Sequence, residues 1–140
     1  MEPIAHFPDR SKLFLALAIA YFVTSLAHFV HNAEFIGTYP NLPGWLTRTK
    51  VYAAWAAITS VGVLGFVLIR QKFIWLGLVA VAAYAAMGFD GLGHYAVAPM
   101  SSHTFGANLT IVAEVSAAAL LLLVTLCLLK LQLFRNRRRA

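Results

Sequence analysis

The chain has 140 residues, of which 61% are hydrophobic and only 11% charged, and its formal net charge is +6. A soluble domain of this size carries about a quarter charged residues and cannot bury so much apolar surface within itself. A soluble enzyme, a disordered tail and a nucleic-acid-binding domain are thereby excluded, which leaves an integral membrane protein.

In chain order, the first stretch able to cross a bilayer core, which takes about 20 apolar residues as helix, is 13–36. Its leading part, with Arg10, Lys12, the apolar run 13–23 and Ser25-Leu26-Ala27, imitates a secretory signal whose cleavage would leave His28 as a copper-chelating N-terminus. Glu2, Asp9 and the continuing apolar run argue instead for a retained span. His6, in the short polar leader, receives no role. Pro40, Pro43, Gly37 and Gly44 mark a loop, and a second span follows at 51–69. Arg70-Gln71-Lys72 is a tight turn into the third span, 73–97. An uncharged connection, 98–106, leads to the fourth span, 107–134, and a basic tail occupies 135–140. The expected architecture is an all-α, antiparallel four-helix transmembrane bundle forming one membrane domain over 1–140.

Charge sets the expected orientation. Arg10, Lys12, Arg70, Lys72, Lys130, Arg135, Arg137, Arg138 and Arg139 fall on one side, against Arg48 and Lys50 on the other. The positive-inside rule then puts both termini in the cytoplasm of a bacterial inner membrane and the two longer loops outside. The basic tail reads as a contact for anionic lipid headgroups rather than a nucleic-acid arm. Cys127 has no partner in the chain and reads as a small packing residue.

The informative residues are the ones that are expensive in a membrane. Glu34, Asp90, Glu114, His28, His31 and His94 lie inside or at the edges of spans, and His103 lies in the outer loop. An ionisable group at the bilayer centre costs about 2.5–3.5 kcal/mol on insertion scales. By the expected topology His28, Asp90 and Glu114 all lie about 10 Å below the outer boundary, while the inner halves of the spans are almost wholly apolar. His28 and His31 are three apart, Asp90 and His94 four apart with Gly91 and Gly93 between them, and Thr110 and Glu114 four apart. Each pair can share a helix face.

Imidazole and carboxylate together are metal-ligating chemistry. The expected metal ligands are His28, His31, Asp90, His94 and His103, for one or two transition metal ions (Zn, Fe or Cu), with Met100 as a softer loop ligand. Glu34 and Glu114 are the candidate acid–base groups. Trp55, Tyr52 and Asn108 are the expected walls of a pocket for a lipid or other apolar substrate, near Phe29, Phe89 and Tyr95, while Tyr39 and Trp45 read as interfacial belt residues. The competing readings are proton or metal handling as a subunit of a homo-oligomer or larger complex, a b-type haem held by His28 or His31 with His94, and a purely structural polar network worth about 0.6 kcal/mol per contact. A through-channel is disfavoured, because Thr125, Lys130 and Gln132 are the only polar side chains on the inner half of the fourth span.

Four short spans with intramembrane His, Glu and Asp, including Gly88-Phe89-Asp90 and the stretch around His28, resemble in layout the emopamil-binding, sterol-isomerase-like membrane proteins. The resemblance implies metal-free acid–base chemistry on a sterol-like or polyprenyl substrate. It carries no residue role across.

Overall fold

The structure, a computed structural model, describes the backbone of residues 7–137 and the side chains of residues 11–134. His6, the Arg10 side chain and the basic cluster from Arg135 to Arg139 lie outside the described side chains, so the charge count that uses them stands on sequence alone.

Helix α1 spans Phe7–Glu34, α2 Arg48–Arg70, α3 Ile74–Met87, α4 Gly93–Val97 and α5 Phe105–Arg137. Short 3-10 turns lie at Ile36–Thr38, Gly88–Leu92 and Met100–Ser102, and no strand occurs among the described residues. Four helical segments are long and apolar enough to cross a membrane: Ser11–Glu34, Arg48–Arg70, Ile74–Val97 and Phe105–Phe134, each end within three residues of the predicted one. The boundaries have local causes. Thr47 caps α2 by accepting the Lys50 backbone N–H at 3.3 Å, as short hydroxyl residues do at N-caps. At the other end Lys72 turns the chain with a left-handed φ of 70°.

Helix α1 packs on α2 and α5, and α3 packs on the same two neighbours. The α1–α5 seam follows from a four–three repeat of buried positions. Phe14, Ala18, Tyr21, Ser25, His28 and Asn32 are buried on α1, and Ala107, Ile111, Glu114, Ala118, Leu121 and Thr125 on α5. Such alternation keeps one stripe of a helix against its partner. His28, Asn32 and Glu114 are therefore carried into the interior by the same period that buries the apolar residues. The helices α2 and α3 meet through glycine. A Cβ on Gly77 would stand 2.6 Å from the Gly65 carbonyl oxygen, closer than any real side chain tolerates.

The third span departs from a continuous α-helix. Between α3 and α4 the chain tightens into the 3-10 turn Gly88–Leu92. Gly88 allows this at a crowded point, since a Cβ there would lie 2.6 Å from the Ala118 Cβ and 2.7 Å from the Tyr21 hydroxyl. Four α-helical steps leave two side chains about 40° apart, but each step at three residues per turn adds about 20°. Asp90 and His94 consequently do not share a face: Asp90 is exposed and His94 half-buried.

Candidate functional site

The site lies where the end of α1, the α4 turn and the start of α5 meet beneath the 35–47 and 98–104 loops. The 35–47 loop is tied to the end of α4 by Asn41, whose amide donates to the Val97 carbonyl at 2.9 Å. His28 is 2% and Glu114 1% exposed. The His28 Nε2 to Glu114 Oε2 separation is 3.7 Å, too long for a hydrogen bond, and Glu114 Oε2 is buried with no hydrogen-bond partner. Gly91 lies against that oxygen, and a Cβ there would be in ordinary van der Waals contact with it at 3.4 Å.

Three imidazoles are held with Nε2 as the acceptor nitrogen. The single hydroxyl proton of Thr110 goes to the carbonyl of Gly106 or Ala107, at 3.1 and 3.0 Å. Thr110 Oγ1 is then free to accept from His28 Nδ1 at 3.4 Å. His103 Nδ1 lies 3.1 Å from the Pro99 carbonyl oxygen, which can only accept, and its Nε2 is buried without a partner. The Asn32 amide nitrogen donates to His94 Nε2 at 3.3 Å. On His28 and His103 the partner on Nδ1 fixes the tautomer and aims the Nε2 lone pair, the arrangement that orients metal-ligating histidines, whereas on His94 Asn32 occupies Nε2 itself. The ring centroids of His28 and His94 are 5.4 Å apart, and those of His94 and His103 6.1 Å.

Tyr39 is the hub of the loop side. Only 5% exposed, its ring lies 4.8 Å from that of His94 and 6.2 Å from that of His103. Its hydroxyl shares a hydrogen bond of 2.8 Å with His31 Nδ1. Burial pushes its phenol up to about 12, with the neighbouring Thr110 side chain opposing the rise and Tyr95 and Glu114 adding to it. The expectation of a belt position for Tyr39 is thus corrected: a phenol fixed between two loops is covered by both. Trp45, at 65% exposure, does have the exposure of a belt residue. His31 is pressed against the start of α5, where a Cβ on Gly106 would lie 2.8 Å from its Nε2.

Comparison with known protein families, curated proteins and solved structures gives no match.

The predicted residues divide into two groups. His28, His94, His103 and Glu114 are gathered in one layer, with His31 joined to it through Tyr39. Asn108 borders that layer, its side-chain oxygen accepting from the Tyr95 hydroxyl at 2.9 Å and its amide donating to the Met100 carbonyl at 3.1 Å. Glu34 is apart, bonded to Arg48 Nη2 at 2.6 Å and to the Tyr52 hydroxyl at 2.6 Å. Tyr52 and Trp55 belong to the α1–α2 contact around Phe29, Ala33 and Val51, on another seam from the histidine layer. Among the described residues no three His, Cys, Asp or Glu side chains are close enough together to form a complete metal shell as they stand. Asn32, Thr110 and Tyr39 are the polar partners that sequence reasoning undervalued. Asn32 had a readable signal, four residues after His28 on the same repeat; Tyr39, inside a proline-flanked loop, had none.

Proposed function

We propose that the chain is a metal-binding protein of the bacterial cytoplasmic membrane, an antiparallel bundle with both termini cytoplasmic and a site for a transition metal ion (Zn, Fe or Cu) in the outer leaflet. The observation that carries this reading is the buried pair His28 Nε2 and Glu114 Oε2, 3.7 Å apart. That distance exceeds a hydrogen bond but suits two ligands bonded at about 2 Å each to one ion. His28 presents its Nε2 lone pair beside Glu114 as it stands, whereas His103 must move inward and Asn32 must release the His94 Nε2 before either completes a shell. Asp90 is exposed and Glu34 is committed to Arg48, so neither is needed.

The test is elemental analysis and absorption spectroscopy of detergent-purified protein prepared without chelators, followed by dialysis against Zn, Fe and Cu salts. Stoichiometric metal in the wild type, lost in His28→Ala and Glu114→Gln, is the expected result. Protein that takes up none of the three metals, or whose visible spectrum is that of haem, refutes it.

A second reading rests on the same pair. With Nδ1 hydrogen-bonded to Thr110, His28 turns Nε2 toward the Glu114 carboxyl at 3.7 Å, an imidazole–carboxyl pair that a substrate group entering from the lipid could bridge in acid–base catalysis. It requires turnover by metal-free protein, which the dialysed samples can be assayed for against lipid substrates.

A further inference from the structure

A groove of about 320 Å3 runs between α1 and α2 on the Arg70 side of the bundle, away from the histidine layer. At the loop end the two helices close on each other through Phe29, Ala33 and Val51. Farther along, Ala18 and Gly62 leave a channel walled by Leu15, Ile19, Phe22, Val63 and Val67, with Arg70 at its mouth. Leu15, Ile19, Val63 and Val67 are exposed along it, so the channel opens to lipid. Its length is that of one leaflet: the helical rise from Thr59 to Arg70 is about 16 Å, against half of a hydrocarbon core of about 30 Å.

We propose that this groove holds one acyl chain of an anionic phospholipid from the leaflet on the Arg70 side, with the lipid phosphate on the Arg70 guanidinium. Charge complementarity selects this occupant. The carboxylates among the described side chains, Glu34, Asp90 and Glu114, all belong to the loop end of the bundle, so that among the described side chains no carboxylate stands at the Arg70 end. A guanidinium meets phosphate through paired N–H donors, and an apolar channel leading away from it accepts a chain rather than a second headgroup. Lys72, two residues on, lies outside the groove lining and supplies general positive charge to the same surface.

Native mass spectrometry of the full chain in detergent, supplied with equal phosphatidylglycerol and phosphatidylcholine, tests the proposal. The wild type is expected to retain one phosphatidylglycerol several-fold over phosphatidylcholine. Arg70→Gln should equalise the two lipids, Val63→Trp should expel both by filling the groove, and Lys72→Gln should keep the preference. Excess glycerol phosphate should displace nothing, since the chain supplies the grip. Val63 already faces lipid, and Val67→Trp repeats the filling from the next turn, so a misfolded variant is recognised by loss of its helical circular dichroism. Equal retention of the two lipids by the wild type overturns the proposal. So does a Lys72→Gln effect matching that of Arg70→Gln, retention by both folded tryptophan variants, or displacement by glycerol phosphate.

Discussion

Glu34 and Glu114 are chemically identical and meet opposite fates. Glu34 sits at the last residue of α1, a third exposed, with a cation and a phenol on one of its oxygens. An exposed ion pair contributes about 0–1 kcal/mol, so Glu34→Gln should shift stability in detergent by less than about 0.5 kcal/mol and leave metal content untouched. Thermal denaturation and elemental analysis read the two effects, and metal loss in Glu34→Gln would place the site elsewhere. Sequence did not separate the roles of the two glutamates, although Glu34 falls at the edge of its span and Glu114 two turns inside its own. The distinction lies in which side of its helix each occupies: Glu114 is on the four–three repeat of α5, and Glu34 has stepped off that of α1, whose last member is Asn32.

Tyr39 carries a pH signature of its own. Its phenol is raised from the ordinary value of 10 to about 12, chiefly by burial. A raised acid binds its proton more tightly when folded, so its contribution to stability is fully present below pH 10 and is lost as pH climbs from 10 to about 12. Tyrosinate absorbance followed against pH, wild type minus Tyr39→Phe, should show one phenol titrating near the upper end of that window. A difference curve centred at 10 would mean that Tyr39 is open to solvent and the loops do not close over the histidines.

At the scale of elements, the broken third span decides what reaches the site. The spans themselves were legible, since hydropathy and length specify them, and the local tightening was not. Gly88, Gly91 and Gly93 signal close approach without saying which glycine is crowded or that the helix changes its pitch. Packing supplies the answer. A Cβ at Gly88 meets Ala118 and Tyr21 below 3 Å, whereas one at Gly93 meets nothing within 4 Å. Gly88→Leu should therefore cost about 1–3 kcal/mol by overpacking and push α3 away from α5. Gly93→Ala should be neutral or stabilising by a few tenths, in the range of about 0.4–1 kcal/mol seen where alanine fits. Thermal denaturation of the two variants side by side measures the contrast, and equal losses would show that the 3-10 turn is not pinned at Gly88.

At the scale of the whole molecule, the histidine layer has meaning only if it lies near one membrane surface. The contact of His28 with Glu114, and of Tyr39 with His94 and His103, brings the end of α1, the end of the third span and the start of α5 to one level. The turn at Gln71 belongs to the opposite level, because α2 and α3 run 23 and 14 residues from it. Cysteine accessibility in intact bacteria tests which level faces out. The single cysteine, Cys127, is exposed on the α5 surface in the apolar stretch. It is first replaced by Ala to give a clean background. A membrane-impermeant maleimide should then label Gly44→Cys in whole cells and Gln71→Cys only after permeabilisation. Gly44 tolerates the change, since a Cβ there meets nothing within 4 Å. The reverse pattern would turn the bundle over and place the histidine layer against the cytoplasm, so that any ion it took would come from the cytosolic pool. Labelling of both sites in intact cells would mean that the four helices do not form the expected topology, and the shared depth of His28, His94 and Glu114 would lose its relation to a surface.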